Sequence, residues 1–354
     1  MPLSIFTQTR NLIADPDIAI DLGTANTRMY ARGRGLIADE PSVIKVRAET
    51  GFVEAVGINA AQAKVLNPRM PLISPLRAGV IADVNSAAAL LTPLIRRARH
   101  LGFVRPRVLA CAPTDAQETE RQALVEATRK AGASAVVLAP EPLAAAIGLG
   151  MDVSSPYAQL LVDIGDGVTD IAVIRSGELI KTAALRVACS DLTSALYKMV
   201  KEEQDIELYA PEALEVIHQV GAKPRQQNLV TYAPAGTDGR TGALRRSRVS
   251  GDEVFQTIAP VLAEIVEFVG QVVRDLPPEL SCEVIETGLR LTGGGMCIPG
   301  IAERIALETG LTVSRADDPL HAVIKGACKM LTIGGRTNLW ENANSNQFLA
   351  VVSS

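Results

Sequence analysis

The sequence predicts an α/β protein made of two copies of one domain, each with a strand, a glycine turn and a returning strand near its start. Three observations carry the prediction. Apolar runs alternate with amphipathic stretches along 354 residues, a length that exceeds one small core and suits two domains. The pattern of apolar run, aspartate and glycine turn appears in Ile18-Ala-Ile-Asp21-Leu-Gly23 and again in Leu161-Val-Asp163-Ile-Gly165. The two aspartates lie 163 minus 21, or 142, positions apart, roughly one domain, which marks a duplicated supersecondary unit and not a short solenoid repeat.

Composition narrows the class. Hydrophobic residues at 47% with charged residues at 21% describe a globular chain. Aromatics are only 3%, so the core must rest on Leu, Ile, Val and Ala, a mixture that favours strands alternating with helices. The net charge of −4 gives no electrostatic case for nucleic acid as a partner. Cys111, Cys189, Cys282, Cys297 and Cys328 are scattered without CxxC spacing, so neither a disulfide framework nor a zinc site is expected. Cysteine used as a small apolar residue implies a reducing compartment. No run reaches 18 uninterrupted apolar residues, and the start lacks a signal-peptide pattern. The expected location is cytoplasmic.

The elements follow in order. Residues 18–21 begin a strand that Gly23 turns back into Arg28-Met-Tyr30, a β-hairpin. Strands are expected near 41–46 and 52–56. A helix fits 85–101, with Asn85 as N-cap and apolar residues at helical spacing. A buried strand at 108–112, a charged amphipathic helix at 115–130, a strand at 135–138 and a small-residue helix at 141–150 complete the first half. The second half opens with strand, turn and strand over 160–174. Helices then fit 191–201 and 211–220, 234–248 is polar, and 251–275 is a long amphipathic helix. Residues 288–295 are a strand running into three glycines, 299–309 is helix, and a final helix begins near Asp318. From about Gly334 the chain turns polar and Asn-rich, the composition of a loose tail.

Three glycine turns after apolar strands suit close approach of backbone N–H groups to phosphate oxygens, because glycine has no Cβ to block them. Two hairpins of this type would clasp a phosphate chain, with Asp21 and Asp163 placed for a divalent cation. Magnesium keeps several waters and takes only one or two carboxylates, so two aspartates suffice. The chain has no GxxxxGK[ST], which excludes a P-loop. No long helix follows the first turn, which excludes a Rossmann fingerprint.

Seven stretches in this order and spacing resemble the actin and Hsp-type ATPase superfamily, and within it the bacterial MreB type. They are Asp21-Leu-Gly-Thr-Ala-Asn-Thr27, Glu40-Pro-Ser-Val43, Gly79-Val-Ile-Ala-Asp83, Glu141-Pro-Leu-Ala-Ala-Ala-Ile-Gly148, Val162-Asp-Ile-Gly165, Leu291-Thr-Gly-Gly-Gly295 and Asp317-Asp-Pro-Leu320. The resemblance covers residues 18–332 and implies an actin-like α/β fold around a nucleotide cleft. It implies a leader over 1–17 and a first domain over 18–146 with a small subdomain at 33–78. A second domain would span 147–333 with a small subdomain at 185–256. Helix 319–333 would pack back on the first domain, and 334–354 would be a polar tail.

By the same resemblance, Thr24, Ala25 and Asn26 look like the first phosphate loop, and Gly165, Asp166, Gly167 and Val168 like the second. Gly293, Gly294, Gly295 and Met296 look like the adenosine-side loop. Asp21 and Asp163 would hold magnesium through water beside bound ATP. Glu141 falls where the family has the polar residue that positions the attacking water. Read from the residues alone, the alternative is a first-turn carboxylate favoured by the helix dipole.

The chain departs from the family in three places. MreB proteins read Asp-Ile-Gly-Gly-Gly-Thr-Thr-Glu at the second loop, where this chain has Asp163-Ile-Gly-Asp-Gly-Val-Thr-Asp170. Val168 offers no hydrogen bond to organise water, which implies slow turnover. Actin reads Asp-Gly-Val-Thr here and acts through the residue aligned with Asp170, so Asp170 is a second catalytic candidate. Arg28 stands where actin has a phosphate-contacting lysine and MreB an apolar residue. It either reaches the β-phosphate or is a solvated strand residue. In Tyr209-Ala-Pro-Glu-Ala-Leu-Glu-Val-Ile217 the family's base-contacting glutamate and lysine become Leu214 and Ile217. Glu212 and Glu215 are the candidates to replace them.

The implied function is a cytoskeletal filament for cell shape, assembled from copies of the chain and working as a weak ATPase. The alternatives are a non-hydrolysing structural paralogue and an organelle-aligning filament of the magnetosome type. Filament formation follows from the resemblance alone. Leu3, Ile5, Phe6, Leu12 and Ile13 would share one face of a leader helix, an apolar surface for a membrane with only Arg10 to attract anionic lipid. Membrane-bound morphogenesis proteins are implied partners. Two arginine groups, one over 96–107 and one over 240–248, fit a solvated face or an intersubunit contact better than nucleic acid.

Overall fold

Every side chain of Ile18–Leu22 is buried, which a strand needs when helices cover both faces of its sheet. The computed structural model describes residues 17–62, 71–99, 105–222, 230–334, 340, 343, 347 and 348. The chain forms two units, Met1–Met151 with Val323–Val351 and Asp152–Ala322 with Val352–Ser354. The expected leader helix lies outside the described residues.

In the first unit, β1 (Ile18–Leu22), β2 (Asn26–Ala31) and β3 (Gly35–Pro41) form an antiparallel meander. Short strands β4 (Ile44–Val46), β5 (Val53–Val56) and β6 (Leu72–Ile73) make a small sheet beside helix α1 (Gly57–Ala61). A two-stranded hairpin, β7 (Leu76–Arg77) with β8 (Val80–Ile81), leads into α2 (Val84–Ala98). Then β9 (Arg107–Ala112), α3 (Glu118–Lys130), β10 (Ala135–Pro140) and α4 (Glu141–Gly148) follow. The main sheet runs β10-β9-β1-β2-β3, with β1, β9 and β10 parallel. Alternation along β1 splits its side chains between two cores. Ile18, Ile20 and Leu22 pack with Leu90, Leu94 and Val125 on one face, and Ala19 packs with Leu109, Val137 and Ala144 on the other.

The second unit repeats this plan. β11 (Gln159–Ile164), β12 (Thr169–Arg175) and β13 (Glu178–Leu185) form the meander. Helices α5 (Cys189–Gln204) and α6 (Ala210–Val220) flank β14 (Ile206–Leu208). Next come β15 (Thr231–Tyr232), β16 (Ala235–Asp238), β17 (Leu244–Arg246) and β18 (Val249–Ser250). Then α7 (Gly251–Arg274), α8 (Pro278–Thr287), β19 (Leu289–Thr292), α9 (Ile301–Thr309) and β20 (Val313–Arg315) complete the unit. Its main sheet runs β13-β12-β11-β19-β20, the same order of meander and parallel strands as in the first unit.

Several boundaries move for identifiable reasons. Asp83, not Asn85, caps α2, since its carboxylate accepts from Ser86 N at 2.7 Å. Asn85 lies inside the helix, where its Oδ1 accepts from Lys130 Nζ at 3.4 Å. The helix expected from 115 starts at Glu118, because Gln117 N donates to Glu120 Oε2 at 2.8 Å and sets the first turn there. The polar stretch 234–248 contains β16 and β17, and β17 is exposed at all three positions, so no apolar alternation announces it. Helix α7 is long and apolar enough by composition to cross a membrane. Its buried stripe, including Val254, Ile258, Leu262 and Ile265, packs against α5 and α9.

The chain returns to the first unit through α10 (Ala322–Gly334). The tail residues that the structure describes are docked and not loose. Arg107 stacks its guanidinium 4.4 Å from the centre of the Trp340 ring. Phe348 pairs with Leu138 on the edge strand β10 and lies 5.4 Å from the Arg121 guanidinium. Each ring finds apolar neighbours and a cation, the surroundings aromatic rings prefer.

Helices α4 and α10 meet at a glycine. A Cβ on Gly326 would sit 1.7 Å from the Ala144 carbonyl oxygen and 2.9 Å from Gly148 N. Gly326→Ala must therefore push the helices apart, with an expected loss of about 2–3 kcal/mol, read as a lower urea midpoint. An unchanged midpoint would show that the crossing tolerates separation.

Candidate functional site

The end of β1 is a turn closed on itself. Gly23 N donates to Asn26 O at 3.1 Å, and a Cβ on Gly23 would lie 2.9 Å from that oxygen. The turn is held from outside by Ser42, which is fully buried together with Thr27. Ser42 Oγ donates to Gly23 O at 2.6 Å and lies 2.8 Å from Thr27 Oγ1. Ser42 N donates to Ala25 O at 2.8 Å. Gly79 N donates to Thr24 Oγ1 at 3.1 Å, tying the β7–β8 hairpin to the same turn. The buried Glu40 anchors this support through Ile58 N at 3.3 Å and an ion pair with Arg97. These contacts give the Glu40-Pro-Ser and Gly79 motifs a physical role. Ser42 is the residue that sequence reasoning missed, although it stood inside a quoted motif.

The second copy repeats the closure. Gly165 N donates to Val168 O at 2.9 Å, and a Cβ on Gly165 would again meet that oxygen at 2.9 Å. The start of α5 supports this turn, with Cys189 N donating to Gly165 O at 3.3 Å and Ser190 N to Asp166 O at 2.8 Å. Val168 is buried. The third glycine turn packs directly on the second strand end. A Cβ on Gly293, whose φ is +84°, would lie 2.2 Å from Asp163 Oδ1 and 2.3 Å from Ile164 O. Gly295 is as tight against Ile164 Cγ2, at 2.2 Å. Gly294–Cys297 forms a 3₁₀ turn, and Arg315 Nη2 fixes it by donating to Met296 O at 2.8 Å.

The titratable groups cluster at these strand ends. β9 lies between β1 and β10, so Asp21 and the start of α4 at Glu141 are about two strand spacings, roughly 10 Å, apart. Burial first, then the charges of Asp21 and Glu141, push the Cys111 thiol well up. Burial also raises the Asp166 carboxyl, with the Asp191 charge adding to it. Tyr197 is pushed up to about 12 by burial and then by the Asp166 charge. Asp170, a buried residue, sits opposite Asp163 across the hairpin. Among the described residues no group of three or more His, Cys, Asp and Glu is arranged to hold a metal ion.

The structure therefore places Asp21, Thr24, Ala25, Asn26 and Glu141 at one end of the first unit's sheet. In the second unit it brings Asp163, the turn 165–168, Asp170 and the turn 293–296 together. Glu212 and Glu215 lie on α6. Glu212 Oε2 accepts from Ala235 N at 3.0 Å, and Glu215 Oε1 accepts from Gln219 Nε2 at 2.6 Å. Ile217, aligned with the family's lysine, is fully buried and faces the core, whereas Leu214 is 38% exposed. The C-terminal end of α6 meets the chain just past the third turn, where Ala222 N donates to Pro299 O at 2.7 Å. Several of the clustered arginines are engaged within the chain: Arg97 with Glu40, Arg107 with Asp17 and Arg245 with Asp238. Backbone turns that approach closely, flanked by carboxylates at strand ends, suit a phosphate chain and a hydrated cation.

Comparisons with known proteins point to one family. The sequence model of one family, described as MreB/Mbl protein, matches residues 15–337. The cell shape-determining protein Mbl of Bacillus subtilis is 34% identical over 317 residues, covering 89% of this chain and 95% of the relative. The crystal structure of MreB 5 of Spiroplasma citri bound to AMPPNP superposes with a TM-score of 0.81 at 28% identity, covering 91% of this chain and 98% of that one. A MamK double helical filament structure gives a TM-score of 0.72 at 19% identity, covering 89% and 99%, and shares the fold.

Two expectations follow from the turns. Ser42→Ala leaves the Gly23 carbonyl and the Thr27 hydroxyl without a buried partner, and is expected to cost about 1–3 kcal/mol in chemical denaturation; a change within error would mean that water replaces the hydroxyl. Asp166 has its folded pKa raised above the ordinary 3.8, so its charged form is penalised in the folded state. That penalty grows as pH rises through the window above 3.8 and is fully present beyond the raised value. Asp166→Asn should therefore raise Tm at neutral pH, with the gain fading as pH falls toward 3.8. A gain that persists below that pH would assign the effect to something other than charge burial.

Proposed function

The chain belongs to the MreB/Mbl family, and from that membership we propose that it is an actin-like cytoskeletal protein that binds ATP, assembles into filaments and serves cell-shape determination. The observation that carries the reading is the repeated closed turn, Gly23 to Asn26 and Gly165 to Val168, each at the end of a strand bearing an aspartate. The AMPPNP bound to MreB 5 of Spiroplasma citri supports nucleotide as the ligand.

The residues present fit a hydrated magnesium ion beside the nucleotide. Gly293 comes this close over Asp163 only because it lacks a Cβ, and one or two carboxylates are enough for a cation held largely by water and phosphate. Each unit offers one aspartate at a strand end, Asp21 or Asp163, that would hold such a cation through water, and the charge of the cation would offset that of phosphate oxygens. The chain's own groups supply the rest. Within its own unit, turn 24–26 and turn 165–168 would each present backbone N–H groups to phosphate, and 293–296 would approach the adenosine side. Glu141 stands at the first turn of α4, where its carboxylate would accept a hydrogen bond from the attacking water and align it. Val168 is buried and apolar, so water is less well organised and turnover is slow. Ile217 is committed to the core, so base recognition relies on fewer polar contacts than in the family pattern.

These two residues favour a second reading, in which the protein binds nucleotide and polymerises without hydrolysis. A cytoplasmic location at the membrane surface, with membrane-bound morphogenesis proteins as partners, completes the proposal. Sedimentation with ATP, with and without anionic vesicles, and phosphate release in the same samples test it. Pelleting with ATP and slow phosphate release are expected, and Asp163→Ala should weaken Mg-ATP binding about tenfold or more. Polymer with no phosphate release selects the second reading. No pellet with any nucleotide or vesicle refutes the filament function.

A further inference from the structure

Ser42 stands at the joint between the two sheets of the first unit, just past β3 and before β4. It is fully buried, as is Thr27 beside it. Both of its donors reach the first glycine turn. The hydroxyl donates to Gly23 O at 2.6 Å, and the backbone amide donates to Ala25 O at 2.8 Å. A serine hydroxyl carries one proton. That proton goes to Gly23 O, which can only accept, so Thr27 is the donor in the 2.8 Å contact between the two hydroxyls.

The consequence follows from the planarity of the peptide. In a trans peptide the C=O of one residue and the N–H of the next point in opposite directions. Holding Gly23 O toward Ser42 turns the Thr24 N–H away from it, and holding Ala25 O does the same to the Asn26 N–H. One residue thus sets the direction of two amides in the stretch 24–26. Gly79 N, donating to Thr24 Oγ1 at 3.1 Å, fixes the side chain between them against the β7–β8 hairpin. Successive amides turned to one side of a turn make an anion-binding concavity.

The second unit meets the same need by other means. There Cys189 N and Ser190 N, at the start of α5, hold the carbonyls of Gly165 and Asp166 at 3.3 and 2.8 Å. Those bonds turn the Asp166 and Gly167 amides away from the helix. In each unit a group outside the turn holds two carbonyls behind it. In the first unit half of that hold is a side chain. The Thr27 hydroxyl, by contrast, touches Ser42 and holds neither carbonyl.

We propose that Ser42 is a positioning residue for phosphate: by holding the Gly23 and Ala25 carbonyls it aims the Thr24 and Asn26 amides at one phosphate group. It touches no ligand itself. Donors fixed before binding need no ordering when the anion arrives. This rests on the nucleotide reading above and deepens it by naming what orders the first turn.

The test is the Kd of the full-length protein for a fluorescent ATP analogue, with hydrogen exchange of the turn measured with and without ATP. Ser42→Ala frees the Gly23 carbonyl, and its Kd is expected to rise about tenfold, and by no less than about threefold. Thr27→Val removes the other buried hydroxyl and leaves both carbonyls held, so its Kd should stay within about threefold of wild type. ATP should slow exchange at 24–26 in wild type and Thr27→Val, and slow it less in Ser42→Ala. A Ser42→Ala Kd within about threefold of wild type overturns the proposal, as does equal slowing of exchange in all three proteins. So does a Thr27→Val protein that loses as much affinity as Ser42→Ala, because the loss then tracks packing and not the carbonyl hold. If Ser42→Ala fails to fold, Ser42→Cys, whose thiol is a weaker donor, is judged by the same limits. No binding of the analogue by wild type refutes the nucleotide reading itself, and this inference with it.

Discussion

At Gly23 and at Gly165 a carbonyl oxygen three residues ahead stands 2.9 Å from the point where a Cβ would be. This steric closure lets each strand end fold back at once, so that the next strand pairs in register with the first. The register sets which side chain faces each aspartate, Arg28 in one copy and Asp170 in the other. The same closeness at Gly293 brings a third turn onto Asp163. Close backbone approach is thus what both the sheet order and the site geometry require, and glycine permits it at little steric cost.

Supports around the turns differ between the copies. In the first unit a buried serine hydroxyl and the Gly79 amide hold the turn. In the second, amides at the start of α5 hold the carbonyls of Gly165 and Asp166. Those amides are the groups a helix start leaves without intrahelical partners, so one set of bonds finishes the helix and fixes the turn. The duplicated plan is kept while the chemistry that steadies it has diverged, and the residue opposite each aspartate, Arg28 or Asp170, has diverged with it.

Much of this was legible in the sequence, because glycine and aspartate at strand ends are local signals. The two hairpins, the three glycine turns and the long helix α7 lie where apolar periodicity puts them. What escaped was set by tertiary contact. Ser42 reads as an ordinary polar residue until its hydroxyl is seen on the Gly23 carbonyl. β17 carries no alternation because none of its side chains is buried. Asp83 rather than Asn85 caps α2 because both residue types suit a cap, and only the backbone turn chooses between them. Trp340 and Phe348 sat in a polar stretch whose average composition hid two rings with docking places on the first unit.

The first unit is not one continuous length of chain. It begins with β1 and is completed by α10, whose Ile324, Ala327 and Leu331 fill the face of the sheet that carries Ala19 and Leu109. Synthesis proceeds from the N-terminus, and domains fold as their residues emerge. The early strands must therefore wait with one apolar face uncovered until α10 has been made, while the second unit already has all its strands. Of the two units, the one begun first is the one that finishes folding last. During that interval its bare sheet face is a natural client for a chaperone and a natural target for proteolysis.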